Sequence, residues 1–206
     1  MSVFLPKKNN MFRVIVTDGS YKHTLGASRF LAKTGCVVDV IGSRNCLSRW
    51  SRHVSKVAYP QDGFNDEHIN DFVNFLKNSR YDVLLPIGAQ SVQLVARYRE
   101  RIEEHCQIPI PSTEAIDLCL DKDETNRLAA KLGIRVPQTW AFACFEELEA
   151  HIEEITFPVV GKGKSEISKD PPFYAHSKEE LFEKISVWGK RLDAAYPVFP
   201  IIQRYI

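Results

Sequence analysis

The 206-residue chain is 44% apolar, which is enough to bury the core of one domain or of two small ones. Its 27 Lys and Arg residues balance its 26 Asp and Glu residues to a net charge of +1, which excludes the electrostatic footprint of a nucleic-acid or membrane binder. No apolar run approaches the ~18 residues of a membrane helix. Residues 1–10 hold no signal-peptide core, so we expect a cytoplasmic protein with a frayed amino-terminal tail.

Five cysteines are spread along the chain without a C-x-x-C pair: Cys36, Cys46, Cys106, Cys119 and Cys144. An odd, widely spaced set predicts reduced, mostly buried thiols and argues against a zinc site or a disulfide framework. The six histidines form no H-E-x-x-H motif, so these residues predict no metal site.

The start of the chain predicts a strand, a helix and a second strand. Residues 12–17 (FRVIVT) form a β-branched run, a turn follows at residues 18–20, and apolar residues at helical spacing lead to Gly35. Val37–Ile41 is a second apolar run after a minimal turn. This βαβ arrangement implies parallel pairing with a right-handed crossover.

The same alternation continues along the chain. We predict a short strand over residues 56–59, a helix over 65–78, a strand over 81–86 (YDVLLP) and a helix over 91–105. Strands that alternate with helices indicate an α/β fold in which helices cover a parallel sheet.

Ligands of open parallel sheets bind beyond the carboxyl ends of the strands. The candidate substrate-binding residues are therefore those that follow the predicted strands: Asp18, Gly19, Ser20, residues 43–45, Gly88, Gln90 and Ser91. The alternative, in which Gly88 and Ser91 only form a turn and a helix cap, is equally open.

A dinucleotide site is rejected. The first loop offers only Gly19 and Gly26 where a G-x-G-x-x-G motif needs three glycines. Asp39 lies two residues short of the strand end at which a ribose-binding acid belongs.

Basic residues bunch around Trp50, between the second and third predicted strands: Arg44, Arg49, Arg52, His53 and Lys56. Basic side chains interleaved with an aromatic ring can form an anion-binding loop. A solvated connector explains the same residues, and it is the interpretation that we prefer.

Three segments of the last third carry ordinary structural signals. In LDKDETNRLAAKLGIRVPQTW (residues 120–140), Asp121 and Glu124 predict a capped helix that ends at Gly133. FPVVGK (157–162) and IIQRYI (201–206) each predict a buried strand. On this structural interpretation alone, Lys162 is a solvated lysine at a strand end.

In this order, the three segments resemble the opening half of an ATP-grasp domain, the nucleotide-clamping module of ligases related to carbamoyl-phosphate synthase and biotin carboxylase. With the amino-terminal segments, the resemblance to carbamoyl-phosphate-synthase-like ATP-grasp carboligases covers nearly the whole chain from Met11. It implies an α/β fold with a Rossmann-like parallel sheet, the pre-ATP-grasp domain, over residues 1–115. The first, lid-bearing half of an ATP-grasp fold would follow over residues 116–206, with helices over 145–155 and 178–192, and stop at the hinge.

The resemblance also implies a site for ATP. Lys122 and Lys162 would contact the phosphates, and the helix start at Lys122 favours an anion by itself. The hinge would hold adenine through the side chain of Gln203, the backbone of Arg204 and Ile206, and the ring of Tyr205. The loops with Asp18 and Gly88 would face the substrate that is phosphorylated.

Two features of the chain bear on this ATP site. The lid loop over residues 163–175 (GKSEISKDPPFYA) has one glycine and the stiff pair Pro171 and Pro172, where the family has a glycine-rich loop. The carboxylate ligands of Mg²⁺ are expected beyond Ile206, so we expect this chain alone to bind ATP weakly or not at all.

The sequence therefore predicts the amino-terminal part of an ATP-dependent ligase. An acyl phosphate would form from a small-molecule carboxylate and be attacked by an amine or thiol. The alternative is a non-catalytic module that binds a nucleotide or metabolite. We expect no nucleic-acid or membrane partner, and a homodimer is left open.

Overall fold

The structure is a computed structural model that describes residues 11–58, 64–167, 170–191 and 199–205. The tail predicted over residues 1–10 lies outside the described residues. The chain divides into two compact units, Met1–Ile116 and Asp117–Ile206, and each is described by itself.

The first unit is built on a parallel four-stranded sheet. Its elements are β1 (Arg13–Val16), α1 (Lys22–Lys33), β2 (Val37–Ile41), a 3-10 helix (Leu47–Trp50), β3 (Lys56–Ala58), α2 (Ile69–Ser79), β4 (Val83–Leu85), α3 (Ala89–Arg97) and α4 (Arg99–Glu103). The sheet order is β3-β2-β1-β4, and every neighbouring pair is parallel. The predicted parallel sheet is confirmed.

The two faces of this sheet are covered by different apolar clusters because strand side chains alternate between faces. Ile15 packs with Phe72 and Leu76 of α2 on one face. Val14 and Val16, also of β1, pack against residues of β2 and α1 on the opposite face. A strand buried on both faces explains why β1 reads as a continuous apolar run.

Both predicted helices in the second half of this unit have corrected bounds. The helix predicted over 65–78 begins at Ile69, because the side chain of Asn65 accepts a hydrogen bond from the backbone N–H of His68 and forms a turn first. The helix predicted over 91–105 begins earlier, with Gly88 as N-cap, and is interrupted at Tyr98 (φ −108°, ψ 23°). Tyr59, at the end of the strand predicted over 56–59, lies outside the described residues.

Asp39 is a buried structural acid. Its Oδ2 atom accepts hydrogen bonds from the hydroxyl of Tyr81 (2.8 Å) and from Nη2 of Arg13 (3.2 Å), and the residue is 2% exposed. Desolvation and the bond to Asp39 raise the pKa of Tyr81. The acid that the sequence excluded as a ribose ligand thus joins β2 to β1 and to the segment that precedes β4.

The second unit is built on an antiparallel sheet. Helix α5 (Thr113–Leu120) leads into it, and its further elements are α6 (Lys122–Lys131), β5 (Thr139–Ala141), α7 (Phe145–Ala150), a 3-10 helix (Ile152–Glu154), β6 (Val159–Lys162), β7 (Phe173–Ala175), α8 (Lys178–Arg191) and β8 (Ile201–Arg204). The sheet order is β5-β8-β6-β7, and every pair is antiparallel.

Local signals predicted good bounds in this unit except at two places. The helix predicted over 145–155 ends at Ala150 and is followed by the 3-10 helix. The segment taken for a lid loop contains β7, which pairs with β6. Leu192 and Ile206, the ends of the last predicted helix and strand, lie outside the described residues.

Helix α6 is capped at both ends as predicted. The Asp121 carboxylate accepts hydrogen bonds from the backbone N–H groups of Asp123 and Glu124. Gly133 adopts φ +75°, and the Gly133 and Ile134 N–H groups bond back to the last turn in a Schellman motif. The position of Lys122 at the start of this helix is therefore fixed locally.

Gly161 interrupts the apolar run of β6 because an aromatic ring lies over it. Phe173 is its cross-strand partner, and a Cβ atom at Gly161 would lie 2.1 Å from Cζ of Phe173. The Phe173 ring packs edge-on against Trp188 of α8, with 5.4 Å between ring centroids. The absent side chain thus leaves room for the Phe173 ring, which packs between β6 and α8.

The cysteines differ from the prediction. All five are free, but only Cys46 and Cys106 are buried, and Cys119 and Cys144 are exposed. Cys144 is exposed because it precedes α7 as its N-cap, outside any apolar face. Among the described residues, no helix has the length and apolarity needed to cross a membrane.

Candidate functional site

A line of polar groups crosses three strands of the antiparallel sheet. The ammonium group of Lys162 donates to Oε1 of Gln203 at 3.0 Å. Nε2 of Gln203 donates to the hydroxyl of Thr139 at 3.1 Å, and that hydroxyl donates to the Pro137 carbonyl at 2.9 Å. The side-chain amide of Gln203 is thereby held in one orientation.

Strand register places these groups together. Gln203 in β8 lies opposite Thr139 in β5 and Val160 in β6. Lys162 is two residues beyond Val160, so it lies on the same face of the sheet as Gln203. Gln203 is only 6% exposed, and a buried amide is oriented by the hydrogen bonds that it makes.

Lys122 holds the segment that follows β6. Its ammonium group donates to the carbonyls of Gly163 (3.2 Å) and Ser165 (3.0 Å) and lies 3.6 Å from a carboxylate oxygen of Glu166. The backbone N–H of Lys122 also donates to the carbonyl of Lys164 at 2.9 Å. Lys122 therefore contacts the residue directly after Lys162 and the three that follow.

Charges of both signs surround the start of α6. Lys164 lies 3.4 Å from the Asp121 carboxylate and 3.9 Å from that of Asp123. Asp123 is buried and pairs with Arg127 at 2.9 Å. These acids accept from the neighbouring cations, so the positive charge of Lys164 and Arg127 is compensated within the helix start.

Two backbone N–H groups at the end of β8 are already hydrogen-bonded within the second unit. The N–H of Arg204 donates to the carbonyl of Gln138, and the N–H of Tyr205 donates to the carbonyl of Pro158, both at 2.9 Å. The rings of Tyr205 and Tyr174 meet edge-on, 5.2 Å apart, and both residues are half-exposed. Ile206, predicted to read adenine, lies outside the described residues.

The structure thus brings some of the predicted residues together and adds two. Lys162 and Gln203 are in direct contact, and Lys122 is bonded to the residues next to Lys162. Thr139 and Glu166 were missed by the sequence. The pairing of Thr139 with Gln203 needs the register of β5 and β8, and no local motif encodes that register.

In the first unit, Asp18 joins the two predicted loops. Its Oδ2 atom accepts from the N–H of Gly88 at 2.7 Å and from the hydroxyl of Thr17, and its Oδ1 atom accepts from the hydroxyl of Ser91 at 2.9 Å. Gly88 is the N-cap of α3, so this carboxylate occupies the positive end of that helix. Asp18 adopts φ +59°, which few residues other than glycine accept.

These loops lie at the point where the sheet reverses its strand order. The chain runs outward from β1 through β2 to β3 and returns to add β4 on the other side of β1. Asp18 and Gly88 therefore meet where such sheets place their ligands. Ser20 and Gln90 are exposed at this crevice, whereas Gly19 and Gly88 are buried. Residues 43–45 are exposed after β2.

Gly19 is buried because the chain passes closely over it. Its N–H donates to the carbonyl of Ile41, and a Cβ atom at this position would lie 2.9 Å from Sγ of Cys46. A Cβ atom at Gly42 would lie at the same distance from this sulfur. The two glycines thus make room for Cys46, which gives Gly19 a packing role beside its predicted substrate role.

Metal-binding groups are absent from the part of the chain that the structure describes. No three or more His, Cys, Asp or Glu side chains lie together in a way that could hold a metal ion. The described residues therefore do not fit Mg²⁺, and we derive no step through that ion.

Comparisons with known proteins agree with this architecture. No family model matches the chain. Over 145 residues it is 23% identical to the carbamoyl phosphate synthase large chain of Saccharolobus islandicus, which covers 69% of this chain and 13% of that protein.

Solved structures match nearly the whole chain. N5-carboxyaminoimidazole synthetase from Staphylococcus aureus has a TM-score of 0.65 at 18% identity, over 98% of this chain and 49% of that one. The biotin carboxylase domain dimer of Hydrogenobacter thermophilus 2-oxoglutarate carboxylase, in complex with MgADP, ADP and bicarbonate, has a TM-score of 0.70 at 17% identity, over 96% of this chain and 45% of that one.

These neighbours are ATP-grasp proteins, and at such identities the likeness establishes the fold. The chain spans about half the length of the solved structures and 13% of the curated relative. The expected fold, a Rossmann-like parallel sheet followed by the first part of an ATP-grasp fold, is confirmed.

Proposed function

We propose that the chain is the amino-terminal part of an ATP-dependent ligase that joins a carboxylate to an amine or thiol through an acyl phosphate. One observation carries the proposal. The two segments that resemble the phosphate-binding strand and the adenine-binding hinge of ATP-grasp enzymes are paired in the sheet, with Lys162 bonded to Gln203.

In this proposal Lys162 binds a phosphate. A lysine ammonium group has three N–H donors, and within the described residues only Gln203 accepts one from Lys162. A phosphate oxygen is a stronger acceptor than an amide oxygen because it is charged. Lys162 can therefore bind a phosphate and keep its contact with Gln203.

Gln203 binds adenine in the same proposal. Its side-chain oxygen has two lone pairs, and Lys162 uses one of them. The second can accept from the exocyclic amino group of adenine. Because Thr139 fixes the amide nitrogen, the oxygen is oriented before the nucleotide arrives.

Lys122 is the second phosphate ligand that we propose, and it has a competing role. Its ammonium group already meets three oxygens of the segment that follows β6, namely those of Gly163, Ser165 and Glu166. Neutral carbonyls are weaker acceptors than phosphate oxygens. An incoming phosphate would thus draw the ammonium group from the carbonyls of Gly163 and Ser165, while the backbone N–H of Lys122 keeps the segment bound through Lys164.

The chemistry of the proposed reaction uses these residues only to bind and orient. A carboxylate oxygen of the substrate attacks the terminal phosphorus of ATP, ADP leaves, and an amine or thiol then displaces phosphate from the acyl phosphate. The loops with Asp18 and Ser91 would hold the small-molecule substrate at the crevice of the first unit.

We propose a cytoplasmic location for the protein. We also propose a homodimer, like that of the biotin carboxylase domain, and light scattering measures whether it forms.

A non-catalytic nucleotide-binding or metabolite-binding module is the second candidate. The observation that favours it is the anchoring of the segment after β6, which is tied to Lys122 at its start and paired with β6 through β7. A segment held at both ends closes less readily over phosphates than a glycine-rich loop does.

The test combines calorimetry with a turnover assay. ATP is titrated into the product of the whole reading frame and into its Lys162→Ala variant. Lys178→Ala is the matched control, because Lys178 is an exposed lysine of the same unit that pairs, among the described residues, with Glu153. ADP release is then measured with pooled amino acids and small carboxylic acids, using the product of the whole reading frame. Binding with turnover supports the ligase, and binding without turnover supports the nucleotide-binding module. Failure of that product to bind ATP overturns both of these and leaves the metabolite-binding module, which binding of the pooled small molecules tests.

A further inference from the structure

A positively charged groove lies on the first unit, and neither Asp18 nor Gly88 is among the residues that line it. Its volume is about 540 Å³, within the range of small-molecule sites. Eight described residues line it, among them Arg29 and Lys33 of α1 and Leu47, Trp50, Arg52 and His53 of the 3-10 helix and the loop after it.

The shape of the groove follows from the packing of two helices. Helix α1 contacts the 3-10 helix Leu47–Trp50, and each contributes a fully buried serine, Ser28 and Ser48. Small residues let the two helices approach closely. The larger side chains are then left at the surface, where Trp50 is 82% exposed and Leu47 is 49% exposed.

Positive charge converges on this groove without compensation. None of its eight lining residues is acidic, and no described acid pairs with Arg29, Lys33 or Arg52. Desolvation of its ring and the charges of Arg52, Arg29 and Lys33 lower the pKa of His53. The same charges that disfavour a proton on His53 favour an anion beside it.

The exposed indole defines the second half of the ligand. Trp50 is largely exposed, so its ring presents a large apolar surface to solvent. The guanidinium group of Arg49 lies 5.8 Å from the centre of this ring. Stacking on such a ring is how proteins bind planar heterocycles without hydrogen-bond specificity.

We propose that this groove binds a phosphate monoester of a planar heterocycle, such as a nucleoside monophosphate. Three permanent cations match the roughly −1.5 to −2 charge of a phosphate monoester better than the single charge of a carboxylate. The guanidinium groups of Arg29 and Arg52 bind the phosphate, Lys33 adds charge, and the ring stacks on Trp50. The groove shares no residue with the proposed ATP site, and the proposal does not depend on that site.

The test is an NMR titration of the ¹⁵N-labelled chain with AMP, adenosine and inorganic phosphate. The chain has three tryptophans, so it gives three indole N–H signals, and the Trp50 signal is assigned with Trp50→Phe. We expect AMP to shift the Trp50 signal at lower concentration than adenosine or phosphate does. Arg29→Gln and Arg52→Gln should each weaken this binding by about tenfold or more.

Two control variants test whether AMP binds in this groove and not elsewhere on the chain. Lys77→Gln, which removes an exposed cation of α2 outside the lining, should leave the AMP shift unchanged, and so should Lys162→Ala in the proposed ATP site. The proposal is overturned if millimolar AMP leaves the Trp50 signal in place or if the shift survives in the double variant Arg29→Gln/Arg52→Gln. A short single-stranded oligonucleotide that binds far more tightly than AMP would also overturn it, in favour of a nucleic-acid surface.

Discussion

The ammonium group of Lys162 and the side-chain oxygen of Gln203 lie 3.0 Å apart, although 41 positions separate the two residues in the chain. The contact joins the end of β6 to β8, where Gln203 is buried and Lys162 is half-buried. Substitution of each residue in turn therefore tests whether a bound nucleotide contacts both Lys162 and Gln203.

Removing the lysine should affect phosphates and spare adenosine. Lys162→Ala should weaken ATP and ADP binding by about 1 to 3 kcal/mol, as expected for a lost charge-assisted contact. Adenosine binding should barely change. Calorimetry with the three ligands measures this, with Lys178→Ala as the control, and equal losses for adenosine and ATP would assign Lys162 a structural role.

Replacing the amide should affect every ligand that contains adenine. In Gln203→Leu the side chain keeps a similar volume but cannot accept from adenine, so adenosine and ATP should lose affinity by the same factor, about tenfold. The exposed neighbour Gln138 provides the control variant Gln138→Leu. A loss confined to ATP would mean that Gln203 acts only by orienting Lys162.

A methyl group at Gly161 should destabilise the second unit. It would overlap the ring of Phe173, and overpacking of this kind costs about 1 to 3 kcal/mol. Gly26→Ala is the matched control, because Gly26 lies within α1 with nothing near its missing Cβ, and alanine should stabilise that helix by up to about 1 kcal/mol. Urea unfolding measures the change in unfolding free energy, which should fall in Gly161→Ala and rise in Gly26→Ala. An unchanged unfolding free energy in Gly161→Ala would disprove the close packing.

Asp18→Asn should weaken the junction of the two loops in the first unit. An asparagine can keep both contacts, because its amide oxygen can accept from the N–H of Gly88 and its amide nitrogen can donate to the hydroxyl of Ser91, but it loses the negative charge at the amino end of α3. The expected loss is about 0.3 to 2 kcal/mol of unfolding free energy, measured by urea denaturation. Asparagine accepts the positive φ, so backbone strain is not the cause. Ser20→Ala, in the same loop but exposed, should have no effect, and an equal loss there would contradict the assignment to Asp18.

The cysteines should react with a thiol reagent in an order set by exposure. Burial raises the pKa of Cys106 to about 11, so this thiol stays protonated at neutral pH and resists modification. Cys119 and Cys144 are exposed and should react first. Mass spectrometry after brief labelling reports the order, and Cys106 should gain reactivity only as the pH approaches its pKa or as the protein unfolds. Early labelling of Cys106 would show that its surroundings open readily.

Local chemistry explains the elements that the sequence predicted well. The predicted strand over 157–162 contains β6, which ends at Lys162 as expected. The Asp121 cap and the Gly133 stop define α6 through bonds within one or two turns. Such signals need no distant partner, so they can be read directly from the chain.

The features that the sequence did not predict depend on distant partners. Strand β7 exists because β6 supplies its ladder and Gly161 accommodates its ring. The partners of Lys122 are carbonyls about forty positions further along the chain, which no motif encodes. The groove beside Trp50 arises from helix packing, and the basic cluster alone did not distinguish it from a solvated connector.

The strand order of the second unit sets when it can fold during synthesis. Strand β8 comes last in the sequence but lies between β5 and β6, so neither of those strands has its full set of neighbours until Arg204 has left the ribosome. The first unit completes its sheet with β4, and all of its strands have emerged well before that point. A nascent chain halted before β8 would therefore expose the unpaired edges of β5 and β6, where chaperones or another copy of the chain could bind.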